Sequence, residues 1–147
     1  MQMKRPPYQI LNEKAYHAAY KHAFDDPDSF WADVAESFTW KKKWDSVLDG
    51  DFNIPSVQWF EGGRLNITDN CLDRHVKTQP NAIALIWEAN EPSEKCRSFT
   101  YKELLDEVEA TCHAMSARGI SKGDRVCLYM GMVPELAIAV LACARMG

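Results

Sequence analysis

The sequence predicts an α/β protein: a helical and loop extension over residues 1–64, then the first part of a larger α/β domain over 65–147 whose sheet is incomplete. Three observations carry that expectation. Thr100-Tyr101-Lys102-Glu103 opens a long amphipathic helix with a capping box, in which threonine oxygen and glutamate carboxylate satisfy each other's free amides. Ala82-Ile83-Ala84-Leu85-Ile86-Trp87 is a short apolar run of strand type. Arg125-Val126-Cys127-Leu128-Tyr129-Met130 is a second such run, followed at once by a helix over Leu136 to Met146 that Val133-Pro134-Glu135 opens. A strand with a crossover helix delivers the chain to another parallel strand, and none follows before Gly147. The expectation is therefore the front piece of a larger enzyme.

From the N-terminal side, Asn12 is placed to cap a helix over Glu13 to Phe24, where Tyr16, Ala19, Tyr20 and Ala23 recur at helical spacing. Asp25-Asp26-Pro27-Asp28 breaks it. A second helix begins with Pro27 in its first turn and carries Phe30, Trp31, Val34 and Phe38 on one side. Residues Thr39 to Glu61 contain Trp40, Trp44, Phe52, Trp59 and Phe60 in neither helical nor alternating period, beside Gly50 and Pro55, and read as a packed loop. Large aromatics dominate burial energy, so packing is the reading preferred to ligand stacking. Irregular stretches this long lie against a partner surface, expected here to be the remainder of the same chain. Lys41-Lys42-Lys43 reads as a solvated rim rather than a phosphate site.

In the second part, Asn66 to Val76 predicts a helix with Ile67, Cys71, Leu72 and Val76 on one stripe, capped by Thr68 or Asn66 and closed at Thr78-Gln79-Pro80. The run Ala82–Trp87 should be buried over most of its length and pair antiparallel with Cys96-Arg97-Ser98-Phe99 across Asn90-Glu91-Pro92-Ser93. The capped helix runs to Arg118, with Leu104, Leu105, Val108, Cys112 and Met115 inward, Glu103, Asp106, Glu107 and Glu109 outward, and Gly119 as its left-handed stop. Lys122-Gly123-Asp124 then turns into the second apolar run. Ala137 to Ala144 is apolar on every side, which calls for cover on both faces.

Composition narrows the function classes. The 147 residues are 46% hydrophobic and 11% aromatic, enough for a core, and 17 Lys+Arg against 21 Asp+Glu give a net charge of -4, which argues against a nucleic-acid or acidic-membrane partner. Five cysteines form no CxxC pair and three lie in apolar periodic stretches, as in a reduced, intracellular protein. No run is long and apolar enough to span a bilayer, and Met1 to Tyr8 lacks the apolar segment of a signal peptide. The expected location is the cytosol, with a nuclear share left open.

No self-sufficient chemistry is visible. There is no G-x-x-x-x-G-K-[ST], G-x-G-x-x-G or G-x-S-x-G, and no acidic ribose partner of the dinucleotide-binding type. Gly62-Gly63 before a helix reads as a tight turn in preference to an anion site. His17, His22, His75 and His113 have no metal spacing. Asp73-Arg74-His75 reads as a structural cluster tying its helix to neighbouring loops. No residue of the chain is assigned a catalytic, cofactor-binding or metal-binding role.

Several blocks do carry a resemblance. Val57-Gln58-Trp59-Phe60-Glu61-Gly62-Gly63-Arg64-Leu65-Asn66, followed by Asn70-Cys71-Leu72-Asp73-Arg74-His75, resembles the N-terminal region of AMP-forming acetyl-CoA synthetases. So, in the same order along the chain, do Asp26-Pro27-Asp28-Ser29-Phe30-Trp31 with Trp44 to Gly50, Phe99 to Leu104, and Lys122 to Val126 through Met132-Val133-Pro134-Glu135 to Leu141–Gly147. The likeness extends over nearly the whole chain from about Tyr8.

The resemblance implies the acyl-adenylate-forming superfamily: acetate joined to ATP with loss of pyrophosphate, then transfer of the acetyl group from acetyl-AMP to coenzyme A with loss of AMP, assisted by Mg2+. It implies acetate, ATP and CoA as partners of the whole enzyme, with none expected to be held by these 147 residues, since the phosphate loop, adenine and acetate pockets and catalytic lysine of such enzymes lie later in the chain. Gly131 stands where the family usually has proline, which loosens a turn and removes no catalytic group. Propionyl- and acetoacetyl-activating relatives would share most of these blocks. The rival from another class is a non-catalytic interaction module of the same architecture, which should be polar on its outer strand and last helix. The codons after Gly147 would decide between them: a further strand and a Ser/Thr/Gly-rich loop ending in lysine and glycine would mark the ligase.

Overall fold

Asn12 and Asp26 set the first two helices. In a computed structural model, which describes residues 10–51, 53, 54 and 56–147, the Asn12 side chain accepts from the Ala15 amide at 2.8 Å and starts α1 (Glu13–Asp25). Asp26 serves both neighbours: its amide donates to the His22 carbonyl at 2.9 Å to close α1, and its carboxylate accepts from Ser29 at 3.1 Å to open α2 (Pro27–Ala35), with Pro27 in the first turn. The chain divides into two compact units after Leu65.

In the first unit, α1 buries no residue, and Tyr20 and Phe24 are 64% and 79% exposed. Helix α2 ends at Ala35, earlier than expected, because the chain tightens into a turn: Ser37 and Phe38 donate their amides to Val34 and Ala35, which places Phe38 beyond the helix. The Trp40 indole also donates to the carbonyl of Ala35 at 2.9 Å, sharing that acceptor with the Phe38 amide.

Within the stretch Thr39–Glu61, expected as a packed loop, residues 46–51 and 56–61 instead pair as a β-hairpin. Strands β1 (Ser46–Asp51) and β2 (Ser56–Glu61) pair antiparallel with Ser46 opposite Glu61 and Leu48 opposite Trp59, and Lys42 bridges to Arg64 beyond them. Alternation fails as a guide because β1 carries Asp49, Gly50 and Asp51, poor strand formers held by their partner's ladder. It fails also because Phe60 takes a left-handed φ of 51°, breaking the period where Trp59 and Phe60 stand side by side. Phe52 and Pro55, which the expectation included, lie outside the described residues, as does the stretch Met1 to Tyr8.

The aromatics of this unit pack on one another. Trp40, Trp44 and Phe60 form a triangle with ring centroids 5.0 to 5.5 Å apart, and Trp59 meets Phe60 at 6.0 Å and Trp31 at 5.9 Å. The left-handed Phe60 costs about 1–3 kcal/mol. Its ring contacts with both tryptophans offset that cost.

In the second unit the Asn66 carboxamide oxygen accepts from the Thr68 amide at 3.0 Å and hydroxyl at 2.8 Å. The helix it starts is not uniform: Asp69–Asp73 is a π-helical segment that passes into α3 (Arg74–Thr78). The wider turn shifts the inward face, so Thr68, Asn70 and Leu72 are buried and Ile67, expected inward, is 49% exposed. Strands β3 (Ile83–Trp87) and β4 (Arg97–Thr100) form an antiparallel hairpin. Contrary to expectation β3 is not mostly buried: Ile83 and Ile86 are exposed, since a two-stranded sheet covers little of its own surface.

Helix α4 (Tyr101–Ala117) has the complete capping box. It ends in a Schellman motif, with Ile120 donating to Met115, Gly119 donating to Ser116, and Gly119 at φ +86°. Residues 125–130 were expected as a buried strand; they join no ladder and are exposed apart from the partly covered Leu128, because a strand exists only where a neighbour supplies hydrogen-bond partners. Helix α5 (Pro134–Met146) packs on α4, and Leu72, Leu104, Val108, Ile138 and Ala142 make the buried core. Cover on both sides of α5 is not found among the described residues: Ile138, Ala139 and Ala142 are buried while Val140 is exposed.

Candidate functional site

Helix α5 places one charged side chain, Arg145, in its otherwise apolar last turns. A guanidinium beside a core must find acceptors, and Arg145 finds three. It meets Asp73 bidentately at 2.8 and 3.1 Å, Glu109 of α4 at 2.9 Å and the buried Thr68 hydroxyl at 3.2 Å. Asn66 completes the group from the other direction, its carboxamide nitrogen donating to the carbonyls of Ala144 and Arg145 at 3.1 and 3.0 Å, which caps the C-terminal end of α5.

The electrostatics of this node are those of a closed clasp. The hydrogen bond and charge of Arg145 hold the Asp73 carboxyl below the usual carboxylate range, and Asp73 in turn pushes the guanidinium up. Both groups are thus fixed in their charged forms and spend their hydrogen bonds on each other. A carboxylate so committed is a poor general base, and no nucleophile is bonded to it. The arrangement orients helices.

Asp73-Arg74-His75 is resolved into separate tasks. Asp73 ties the π segment to helix α5 rather than to a loop. His75 stacks on Tyr101 at 4.7 Å and lies 3.4 Å from Arg74 Nε and 3.3 Å from Gln79; burial, then the Arg74 charge, pull its pKa down. Gly62 sits at φ +71°, where an added Cβ would lie 2.0 Å from Asp45 Oδ2, so a protein carboxylate already occupies the space beside that turn. Lys42 pairs with Asp45 at 2.9 Å and Lys43 with Glu36, both at exposed positions.

A second feature is a groove of about 400 Å³ between β3 and the start of α5, lined among others by Leu85, Ile86, Trp87, Met132, Pro134 and Ala137. The Trp87 indole donates to the Met132 carbonyl at 2.7 Å, and Arg97 meets Glu135 at 2.7 Å. Its lining lacks a nucleophile or a convergent set of polar groups. Among the described residues no three His, Cys, Asp or Glu side chains are placed to hold a metal ion, and no helix is long and apolar enough to cross a membrane.

Sequence reasoning singled out Asp73 but missed Arg145, Glu109 and Asn66 as its node. One signal was available: a lone arginine in the run Ala137 to Met146 demands a partner carboxylate.

A model of the acetyl-coenzyme A synthetase N-terminus matches residues 16–71, and one of the AMP-binding enzymes matches residues 72–147. The chain is 49% identical over 138 residues to an acetyl-coenzyme A synthetase of Saccharophagus degradans, covering 93% of this chain and 21% of that protein. It is 50% identical over 139 residues to one of Chlorobaculum tepidum, covering 94% and 20%. The solved structure of an acetoacetyl-CoA synthetase from Streptomyces lividans superposes with a TM-score of 0.78 at 30% identity, covering 97% of this chain and 21% of that one. The chain thus spans about a fifth of the length of the curated relatives it matches. Matched along both units, the chain belongs to the AMP-binding enzyme family and carries the N-terminal region of its acetyl-coenzyme A synthetases.

Proposed function

We propose that these residues are the N-terminal part of an acetate–CoA ligase, which converts acetate, ATP and CoA to acetyl-CoA, AMP and pyrophosphate through acetyl-adenylate. The observation that carries the reading is identity of 47% or more with acetyl-coenzyme A synthetases from three organisms over more than nine-tenths of the chain. Within it, residues 1–64 form the extension and 65–147 the beginning of the AMP-binding domain. The second reading, another short-chain acyl substrate, is favoured by the likeness to an acetoacetyl-CoA synthetase.

The role of these residues is then to build a wall of the enzyme, not to react. The Arg145 clasp fixes α5 against the π segment and α4, so that the groove and the exposed Ile83, Ile86 and Val140 are presented in a defined geometry to the remainder of the chain. ATP, CoA and Mg2+ belong to the whole enzyme, and the described residues do not provide a fitting metal site. The setting is the cytosol.

The test is acetate-dependent exchange of pyrophosphate into ATP. The protein translated from the complete reading frame should show it, with acetate preferred to propionate and acetoacetate, and the 147 residues alone should not. Exchange by the isolated 147 residues, or a complete reading frame that ends at Gly147, would overturn the proposal.

A further inference from the structure

We draw no further inference here: the strongest candidate, the apolar groove between β3 and the start of α5, is an unpartnered face, and nothing in the structure shows which segment or partner covers it.

Discussion

At the scale of single residues, charge is decided by partners. Asp73 keeps its proton off to lower pH than an ordinary carboxyl because Arg145 hydrogen-bonds it, so its contribution to stability is present above the ordinary carboxylate value and is lost as pH falls through the lowered one. Asp73→Asn should cost about 1.5–3 kcal/mol at pH 7, and in urea unfolding the gap from the parent should shrink as the medium is acidified below the carboxylate range. His75 loses its ease of protonation through burial and Arg74, so its contribution is full above the ordinary imidazole value of about 6.5 and declines below it. Its window thus lies above that of Asp73, and His75→Gln should remove only the upper part of the acid-induced loss. Gly131 takes no left-handed φ and an added Cβ would meet open space. Gly131→Ala should therefore stabilise by about 0.4–1 kcal/mol through the unfolded chain, read as a higher urea midpoint.

At the scale of elements, what could be read in the sequence was what neighbours along the chain decide. The Asn12 cap, the Asp26-Pro27 junction, the Thr100–Glu103 capping box and the Gly119 stop depend on residues a turn apart, and the geometry matches each. Thr100→Ala should cost about 1 kcal/mol, visible as a lower thermal midpoint with unchanged helix content at low temperature. The β1–β2 hairpin was illegible because Asp49, Gly50 and Asp51 take strand geometry only from their pairing, and Phe60 interrupts the alternation. The π segment was illegible for a related reason: a single wider turn rotates the stripe, exposing Ile67 and burying Asn70. Leu72, 1% exposed in the core beside Val108 and Ile138, should cost about 2–5 kcal/mol on change to alanine.

At the scale of the whole molecule, large apolar side chains stand in water: Ile86 is 68% exposed and Tyr129 fully so. Surfaces of this kind bind dyes and one another. The 147 residues expressed alone should enhance the fluorescence of an apolar dye and associate with rising concentration in sedimentation, and Ile86→Lys should weaken both. Unchanged behaviour of that variant would remove β3 from the surface in question. The sequence by itself determined α1, α4 and α5, the start of α2, the β3–β4 hairpin and the family, because these rest on local hydrogen bonding and on the order of short blocks. Only the tertiary structure decided that Arg145 gathers Asp73, Glu109, Thr68 and Asn66 into one clasp and that residues 46–51 and 56–61 pair as a hairpin. Those partners are separated along the chain, up to 79 positions in the case of Asn66 and Arg145. Contacts at that separation are selected by burial and charge pairing in three dimensions, which no local pattern encodes.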